Sequence, residues 1–356
     1  MKNLSELVIT DPMGSRKGRP SWVDRQFLVL IQDERDLPFI YLTLKITLSM
    51  ITLGILLYFV QGWLWWVLAA VYFYLNNLYF KGPFGLMLHC TSHRTFFRRK
   101  FNVLNYYLPW FVAPFFGHTP ETYFVHHIGM HHAENNLEED ESSTMAFQRD
   151  SFRDFLRYFG NFFFKGVYEL YRYHQKRRRK KLMSRMVAGE VTFYLVVIAL
   201  SIVNFQATLV VFILPFLIFR FITMMGNWSQ HAFVDPEEPG NLFKSSITCI
   251  NVKYNHKCWN DGYHISHHIR PNLHWTLHPQ HLLDNRESYR NNEALIFSGL
   301  DFLGVFLLLM QKKYDRLADH LVNIDGMFAS REKAVAVMKR RAGAISRKVE
   351  KVALTA

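Results

Sequence analysis

The sequence predicts an all-α integral membrane protein in which four transmembrane helices form two hairpins beneath a cytosolic helical cap. Three observations support this fold class: two long apolar blocks, a polar or small break within each block, and clustered histidines after each block. Half of the 356 residues are apolar. Because much of that content is concentrated in the two blocks, a membrane domain is favoured over a pair of soluble domains.

The first apolar block, residues 37–80, contains one charged residue, Lys45. A membrane span needs about 20 apolar residues, so the block has room for two short helices. A Gln-Gly pair at 61–62 gives the chain a place to turn, and three of the next four residues are tryptophan, which is typical of a membrane–water interface. The predicted spans are about 37–60 and 63–80.

The second apolar block, residues 191–226, also contains one charge, Arg220. Its polar break is the Asn-Phe-Gln sequence at 204–206. The predicted spans are about 190–204 and 207–226. The other predicted segments are a cytosolic N-terminal arm (1–36), a membrane domain (37–311) whose cap comprises 81–189 and 227–311, and a basic cytosolic tail (312–356).

Positive charge is unevenly distributed in this chain, whose formal net charge is +13. The predicted external turns carry no Lys or Arg, whereas basic runs occur at 98–100 and 176–181. Cytoplasmic loops are the ones enriched in these residues, so both termini and the middle loop are expected in the cytosol. The basic runs could also attract anionic lipid or dock an acidic partner. Nucleic acid is not an expected partner, because no reading motif accompanies the charge.

Nine of the seventeen histidines lie in four short sequences, HCTSH, HIGMHH, NWSQH and HISHH. They are His89, His93, His127, His131, His132, His231, His264, His267 and His268. Residues three or four apart share one face of a helix, and most of these histidines have that spacing. Imidazole suits iron, zinc, copper and nickel, and nine imidazoles exceed what one ion can use. The cap is therefore expected to hold a histidine-rich site for two metals.

The number of membrane crossings between the histidine clusters supports a single site. Two clusters follow the first hairpin and two follow the second, so two hairpins would return all four to one face of the membrane. The alternative is that these histidines bind no metal, and that they lie on the surface or have ring nitrogens paired in local hydrogen bonds. It remains the better interpretation of isolated members such as His118, His174 and His256, and of His278 and its neighbours after the last cluster.

A ligating histidine commonly gives its second N–H to a carboxylate. Asp261, three residues before His264, is the best-placed candidate, although a role as a helix N-cap is equally compatible with its position. The acidic run Glu138 to Glu141 near the second cluster is interpreted as a solvated loop.

The three histidine boxes resemble those of the membrane-bound fatty acid desaturase and hydroxylase superfamily. Asn227 with His231 resembles the family's additional ligand pair, in which the asparagine acts through water, and Asp261-Gly262-Tyr263 is family-like before the third box. The resemblance covers roughly residues 37 to 285. It implies two Fe ions as cofactor, O₂ as co-substrate, and the nine histidines as ligands.

The resemblance further implies an enzyme that desaturates a long-chain fatty acyl group, presented as a lipid or an acyl thioester. A hydroxylase of lipids, sterols, carotenoids or alkanes is the alternative within the superfamily, since box spacing separates the two poorly. A non-redox membrane protein that holds zinc is the alternative from another class. No fused cytochrome b5 segment is visible, so electrons would come from a separate cytochrome b5 or ferredoxin-type donor. The expected location is the endoplasmic reticulum or a bacterial inner membrane, with the site on the cytosolic side.

Overall fold

The computed structural model describes residues 1–14 and 18–345. Most of them are helical, as the sequence predicts. Residues 15–17 of the expected N-terminal arm and residues 346–356 of the expected tail lie outside the described residues.

The α-helices of the described chain are α1 (Trp22–Leu28), α2 (Leu37–Lys45), α3 (Thr52–Leu56), α4 (Trp63–Tyr74), α5 (Lys81–His93), α6 (Thr122–His126), α7 (His132–Glu134), α8 (Phe152–Lys176), α9 (Lys180–Val203), α10 (Phe205–Thr208), α11 (Leu214–Gln230), α12 (Lys253–Lys257), α13 (His264–Ile269), α14 (His278–Asp284), α15 (Arg286–Asn291), α16 (Phe302–Met310), α17 (Tyr314–His320) and α18 (Arg331–Arg341). Segments of π-helix occupy Ile46–Ile51, Leu75–Phe80, Tyr107–Val112, His127–His131 and Leu209–Ile213. Short 3₁₀ segments occupy Leu4–Glu6, Glu34–Asp36, Arg99–Tyr106, Ala113–Phe116, Trp275–Leu277 and Ile324–Gly326.

Three continuous helices among the described residues are long and apolar enough to cross a membrane: Glu34–Leu56, Lys180–Val203 and Phe205–Gln230. At 1.5 Å per residue they are about 35–39 Å long, more than the roughly 30 Å of a hydrocarbon core. They match three of the four predicted spans. The fourth prediction, 63–80, is also helical but is not among these three. It contains two adjacent asparagines, Asn76 and Asn77, both of them buried.

The chain breaks at both predicted turns. The first helix ends at Leu56 and the next begins at Trp63, after Gly62 with a φ of +70°, a left-handed conformation that glycine adopts without strain. At the second break, the Asn204 side chain accepts a hydrogen bond from the Ala207 N–H (3.0 Å) and so caps the helix that follows. In both places the residue types that predicted a turn are the ones that make it.

The cap differs from the all-α prediction in one respect. Strands β1 (Thr248–Ile250) and β2 (Ile296–Ser298) form a two-stranded parallel sheet, with Cys249 paired to Phe297. Parallel strands need a long crossover between them, and here the crossover contains the helix of the third histidine box, α13. The buried sheet thus holds both ends of the segment that carries this box.

Both ends of the described chain pack onto the cap. Leu4 of the N-terminal arm lies in a buried cluster with Tyr263 and Ile265. Helices α17 and α18, within the segment predicted as a basic tail, contribute Leu317, Val337 and other side chains to a second buried cluster. Up to residue 345, arm and tail therefore pack against residues of the predicted cap.

Candidate metal centre

Four chain segments bring the histidines together at the junction of the apolar helices and the cap. Helix α5 carries the first box at its C-terminal end. The second box lies on the π-helical segment His127–His131 and the start of α7. His231 follows the last residue of α11, and the third box forms α13. All nine histidines predicted from the sequence meet here.

The histidines divide into two groups, and within each the possible ligand atoms lie within 4.8 Å of one another. The five-histidine group contains His89, His93, His127, His132 and His267. In this group Nε2 of His267 lies 2.9 Å from Nε2 of both His89 and His132. Nε2 of His127 lies 2.9 Å from Nε2 of His93 and 3.1 Å from that of His132.

The four-histidine group contains His131, His231, His264 and His268, all of them buried. Nε2 of His264 lies 3.3 Å from Nε2 of His231 and 3.0 Å from Nε2 of His268. The two groups are neighbours, because the rings of His131 and His132 have centroids 5.8 Å apart. Two metal sites side by side are thus available.

Local helix geometry decides which histidine enters which group. His127 and His131 have the i,i+4 spacing of an α-helical face, yet they fall in different groups. Their segment is π-helical, and a π-helix pairs residue i with residue i+5. His127 accordingly joins His132, while His131 turns to the other group. In α13 the ends of the box, His264 and His268, share one group and His267 joins the other.

The short distances between nitrogens fit bound metal ions. Two nitrogens bound about 2.1 Å from one ion at right angles would lie about 3 Å apart, close to the separations found here. Nδ1 of His231 donates a hydrogen bond to the Ser245 carbonyl oxygen (2.8 Å), which can only accept. A neutral imidazole has one N–H, so Nε2 of His231 presents a lone pair toward the group. Cations between these nitrogens would account for their convergence.

The model of the fatty acid desaturase family matches residues 65–299, about two thirds of the chain and all nine histidines. The chain belongs to the fatty acid desaturase family. Comparisons with curated proteins and with solved structures gave no match. Family and histidine groups together make this a membrane protein of the fatty acid desaturase/hydroxylase type, an oxidoreductase class whose members typically use two irons.

Outer hydrogen bonds orient the four-histidine group of this desaturase-family protein. Nδ1 of His131 donates to Asp140 (2.7 Å), and Nδ1 of His268 donates to the Asn135 side-chain oxygen (2.9 Å). Asp140 is not among the site residues predicted from the sequence, because the acidic run 138–141 was interpreted as a solvated loop. That interpretation is wrong for Asp140, which is 2% exposed and accepts further hydrogen bonds from Ser142.

The two predicted outer residues have defined positions. Asp261 lies with Oδ1 3.3 Å from Nδ1 of His89, and its other oxygen accepts hydrogen bonds from Gln230 and Tyr254. It therefore adjoins the five-histidine group and not His264, the nearest box histidine in the sequence. The Asn227 amide nitrogen donates to the Ser142 carbonyl and to Tyr158 (2.6 Å). These bonds hold the asparagine beside the loop that carries Asp140.

Burial lowers the pKa of several of the clustered histidines. It lowers the pKa of His93 to about 2 and that of His231 to about 3, and it places the pKa of His267 well below its usual value. Neighbouring imidazoles lower these pKa values further. At neutral pH these three rings are therefore in the form that binds metals.

Three histidines downstream of the third box lie outside the two groups and have hydrogen-bond partners. His274 donates from Nε2 to Asp36 (3.0 Å), and the nitrogens Nδ1 of His278 and His281 lie 2.8 and 3.0 Å from the Ser266 hydroxyl oxygen. These residues are hydrogen-bonded, as predicted, but the bond of His274 to Asp36 is not local, because it spans 238 residues. The isolated His118 is buried and packs on Phe219, with ring centroids 3.6 Å apart.

Proposed function

We propose that this protein desaturates a long-chain fatty acyl group, with O₂ as oxidant and two electrons from a separate donor. The observation that carries the proposal is the pair of adjacent all-histidine groups beside a cavity large enough for part of an acyl chain. The balanced reaction removes two hydrogens from adjacent carbons. Together with two electrons and two protons, they reduce O₂ to two waters.

The nine histidines would hold two irons, five at one site and four at the other. Bound iron would supply the activation of O₂ that oxidation of an unactivated C–H bond requires. Asp140 and the Ser245 carbonyl would hold His131 and His231 in the tautomer that presents Nε2 to a metal. Asn227 would complete the four-histidine site through a water.

The larger of two cavities next to the histidines has a volume of about 260 Å³. His93, the apolar side chains of Leu88, Phe96 and Phe97, and polar side chains that include Asn105, Glu121 and Arg185 line it. The apolar part of the lining would hold an acyl chain with one pair of carbons near His93. The position of the new double bond would then follow from how far the chain enters.

The proposed topology has four spans, with helix 63–80 completing the first hairpin and the cap in the cytosol. Exposed basic residues at 98–100 and 178–181 support this orientation, because they belong to the segment predicted to form the cap. The same surfaces are available to an acidic donor such as a cytochrome b5 or a ferredoxin.

The test is product analysis by mass spectrometry after expression in a host with a simple saturated lipid pool. We expect new monounsaturated acyl chains in aerated cultures and none without O₂. His267→Ala should abolish them while the protein still inserts in the membrane, since Nε2 of His267 lies within 2.9 Å of two other ligand candidates. His256→Ala, at an exposed position outside both groups, is the matched control.

Three outcomes would contradict the proposal. New hydroxyl groups in place of double bonds would identify a hydroxylase. About two zinc ions per chain with no O₂-dependent product would identify a non-redox protein. Full activity of His267→Ala would show that the third box does not supply ligands.

A further inference from the structure

Two cavities reach the five-histidine group from different sides of helix α5. Thr91 and His93 line both of them. Leu86 lines only the smaller cavity and Leu88 only the larger. Two residues along an α-helix are about 200° apart, so these leucines point to opposite sides. The cavities therefore approach the same histidines by separate routes.

The smaller cavity has the greater access to the histidines. His89, His93 and His267 all line it, whereas of the five-histidine group only His93 lines the larger one. Its volume is about 30 Å³, against about 260 Å³ for the larger cavity. One water needs about 10–15 Å³ measured in this way, so the smaller cavity has room for a diatomic molecule but not for an acyl chain.

The walls of the smaller cavity are held in place. The Trp259 indole donates to the Pro83 carbonyl (2.8 Å), and the Trp275 indole donates to Asp36 (3.1 Å). The two tryptophan rings contact each other and Phe39, with ring centroids 5.4 Å apart for the tryptophans and 4.7 Å for Phe39 and Trp259. Widening the cavity for a chain would break these contacts.

The smaller cavity also reaches the protein surface. Pro271 and Leu273 of its lining are partly exposed, and so is Arg94, which forms an ion pair with Asp33 (2.9 Å). The opening lies on the cap, in the segment just after the third box, and the larger cavity has no residue from that segment. A small molecule can thus enter while a chain occupies the larger cavity.

We propose that the smaller cavity is the route by which O₂ reaches the histidine-lined centre, separate from the cavity that holds the acyl chain. The inference rests on the proposed function. Phe39, Leu86 and the two tryptophans give this cavity an apolar side, next to polar lining residues such as Asp36 and Arg94, and an uncharged diatomic molecule can pass along it. Its small volume excludes the lipid. Binding of the chain would then leave the path of the oxidant open.

The kinetic test compares two leucines on the same helix. Leu86→Phe narrows the smaller cavity and is expected to raise the KM for O₂ about five-fold or more, with a change in the KM for lipid below about two-fold. Leu88→Phe narrows the larger cavity and should give the opposite pattern. Leu86→Ala widens the smaller cavity and should leave the KM for O₂ at or below its native value.

Xenon provides a readout that does not depend on turnover. Crystals of the native holoenzyme under xenon pressure should show an atom in the smaller cavity, because xenon enters apolar cavities, and Leu86→Phe crystals should not. No xenon there in the native protein would overturn the inference. So would an unchanged KM for O₂ in a folded, active Leu86→Phe variant. Native enzyme without any O₂-dependent product would instead overturn the proposed function.

Discussion

Three of the four histidines in the smaller group have a hydrogen-bond acceptor at Nδ1: Asp140 for His131, Ser245 for His231 and Asn135 for His268. Each acceptor settles which nitrogen carries the proton, so the opposite nitrogen is left for a metal. The contact also affects Asp140, because His131 helps to lower the pKa of this carboxyl group. Burial works to raise the pKa of Asp140, but His131 and the hydrogen bond from Ser142 outweigh it and hold this pKa below its ordinary value.

A substitution at Asp140 tests this arrangement. Asp140→Asn keeps the shape but loses the charge that orients His131, and we expect metal affinity at the four-histidine site to fall about 10–100-fold. The measurement is metal content during titration with a chelator. Glu139→Gln, one residue away and paired on the surface with Lys176, should leave affinity unchanged. Equal losses in both variants would show that the loop and not the carboxylate matters.

The nine histidines could be predicted because metal ligands need particular residue types at short spacings. The role of Asp140 could not be predicted, because the local sequence of an acidic run does not distinguish a solvated loop from a buried one. Here the loop is folded inward by the Asn136 side chain, which accepts from the Thr144 N–H (2.8 Å), and the Thr144 hydroxyl donates to the His231 carbonyl (2.8 Å). The second of these contacts joins positions 87 residues apart, and no local pattern encodes it.

At the scale of elements, helix α9 packs unusually close to the loop before the second histidine box. An added Cβ at Gly189 would lie 1.7 Å from the Pro120 carbonyl oxygen. This approach allows the adjacent Glu190 to accept hydrogen bonds from the hydroxyls of Thr119 and Thr122 (2.6 Å). Because Gly189 has no side chain, α9 can approach the start of α6 closely enough for these hydrogen bonds to form. Helix α6 leads directly to His127.

Gly189→Ala should therefore lower the apparent Tm in detergent, at a cost of about 1–3 kcal/mol or more from overpacking. Gly160→Ala in helix α8 is the control, because no heavy atom lies within 4 Å of its added Cβ. Alanine is a better helix former than glycine, so this control should be neutral or slightly stabilising. A Gly189→Ala variant as stable as Gly160→Ala would contradict the close contact.

Element boundaries were predictable where turn chemistry marks them, at Gly62 and Asn204. The division of His127 and His131 between the two groups was not, because the α-helical period assumed for the box is replaced by a π-helical one. The two strands were missed for a different reason. Each has three residues and is fully or almost fully buried, so neither shows an alternating pattern.

At the scale of the whole molecule, helix α18 is joined to the cap by a buried ion pair. Arg341 is fully buried and lies 3.0 Å from Asp235. Its carbonyl accepts from the guanidinium of Arg149 (2.8 Å), which also donates to Ala232. Ala232 directly follows His231, so the end of the described chain supports the four-histidine group.

Arg341→Ala should destabilise the folded protein by about 3 kcal/mol, because it removes one partner of a buried pair and leaves Asp235 with the more exposed Arg340. Arg331→Ala, in an exposed pair with Asp319, should cost at most about 1 kcal/mol. Thermal unfolding of both variants is the measurement. A smaller effect at Arg341 than at Arg331 would show that α18 is a peripheral addition.

The pairing of His89 with His267 spans 178 residues, and the bond from Tyr263 to Asp11 spans 252. A ribosome adding about 5–20 residues per second needs roughly 10–35 s to cross the first of these intervals. Throughout that time the earliest imidazoles are in the nascent chain without their later partners. Binding of a metal ion by the complete five-histidine group therefore has to follow synthesis of the third box, and until then the first boxes would offer other divalent ions an incomplete site.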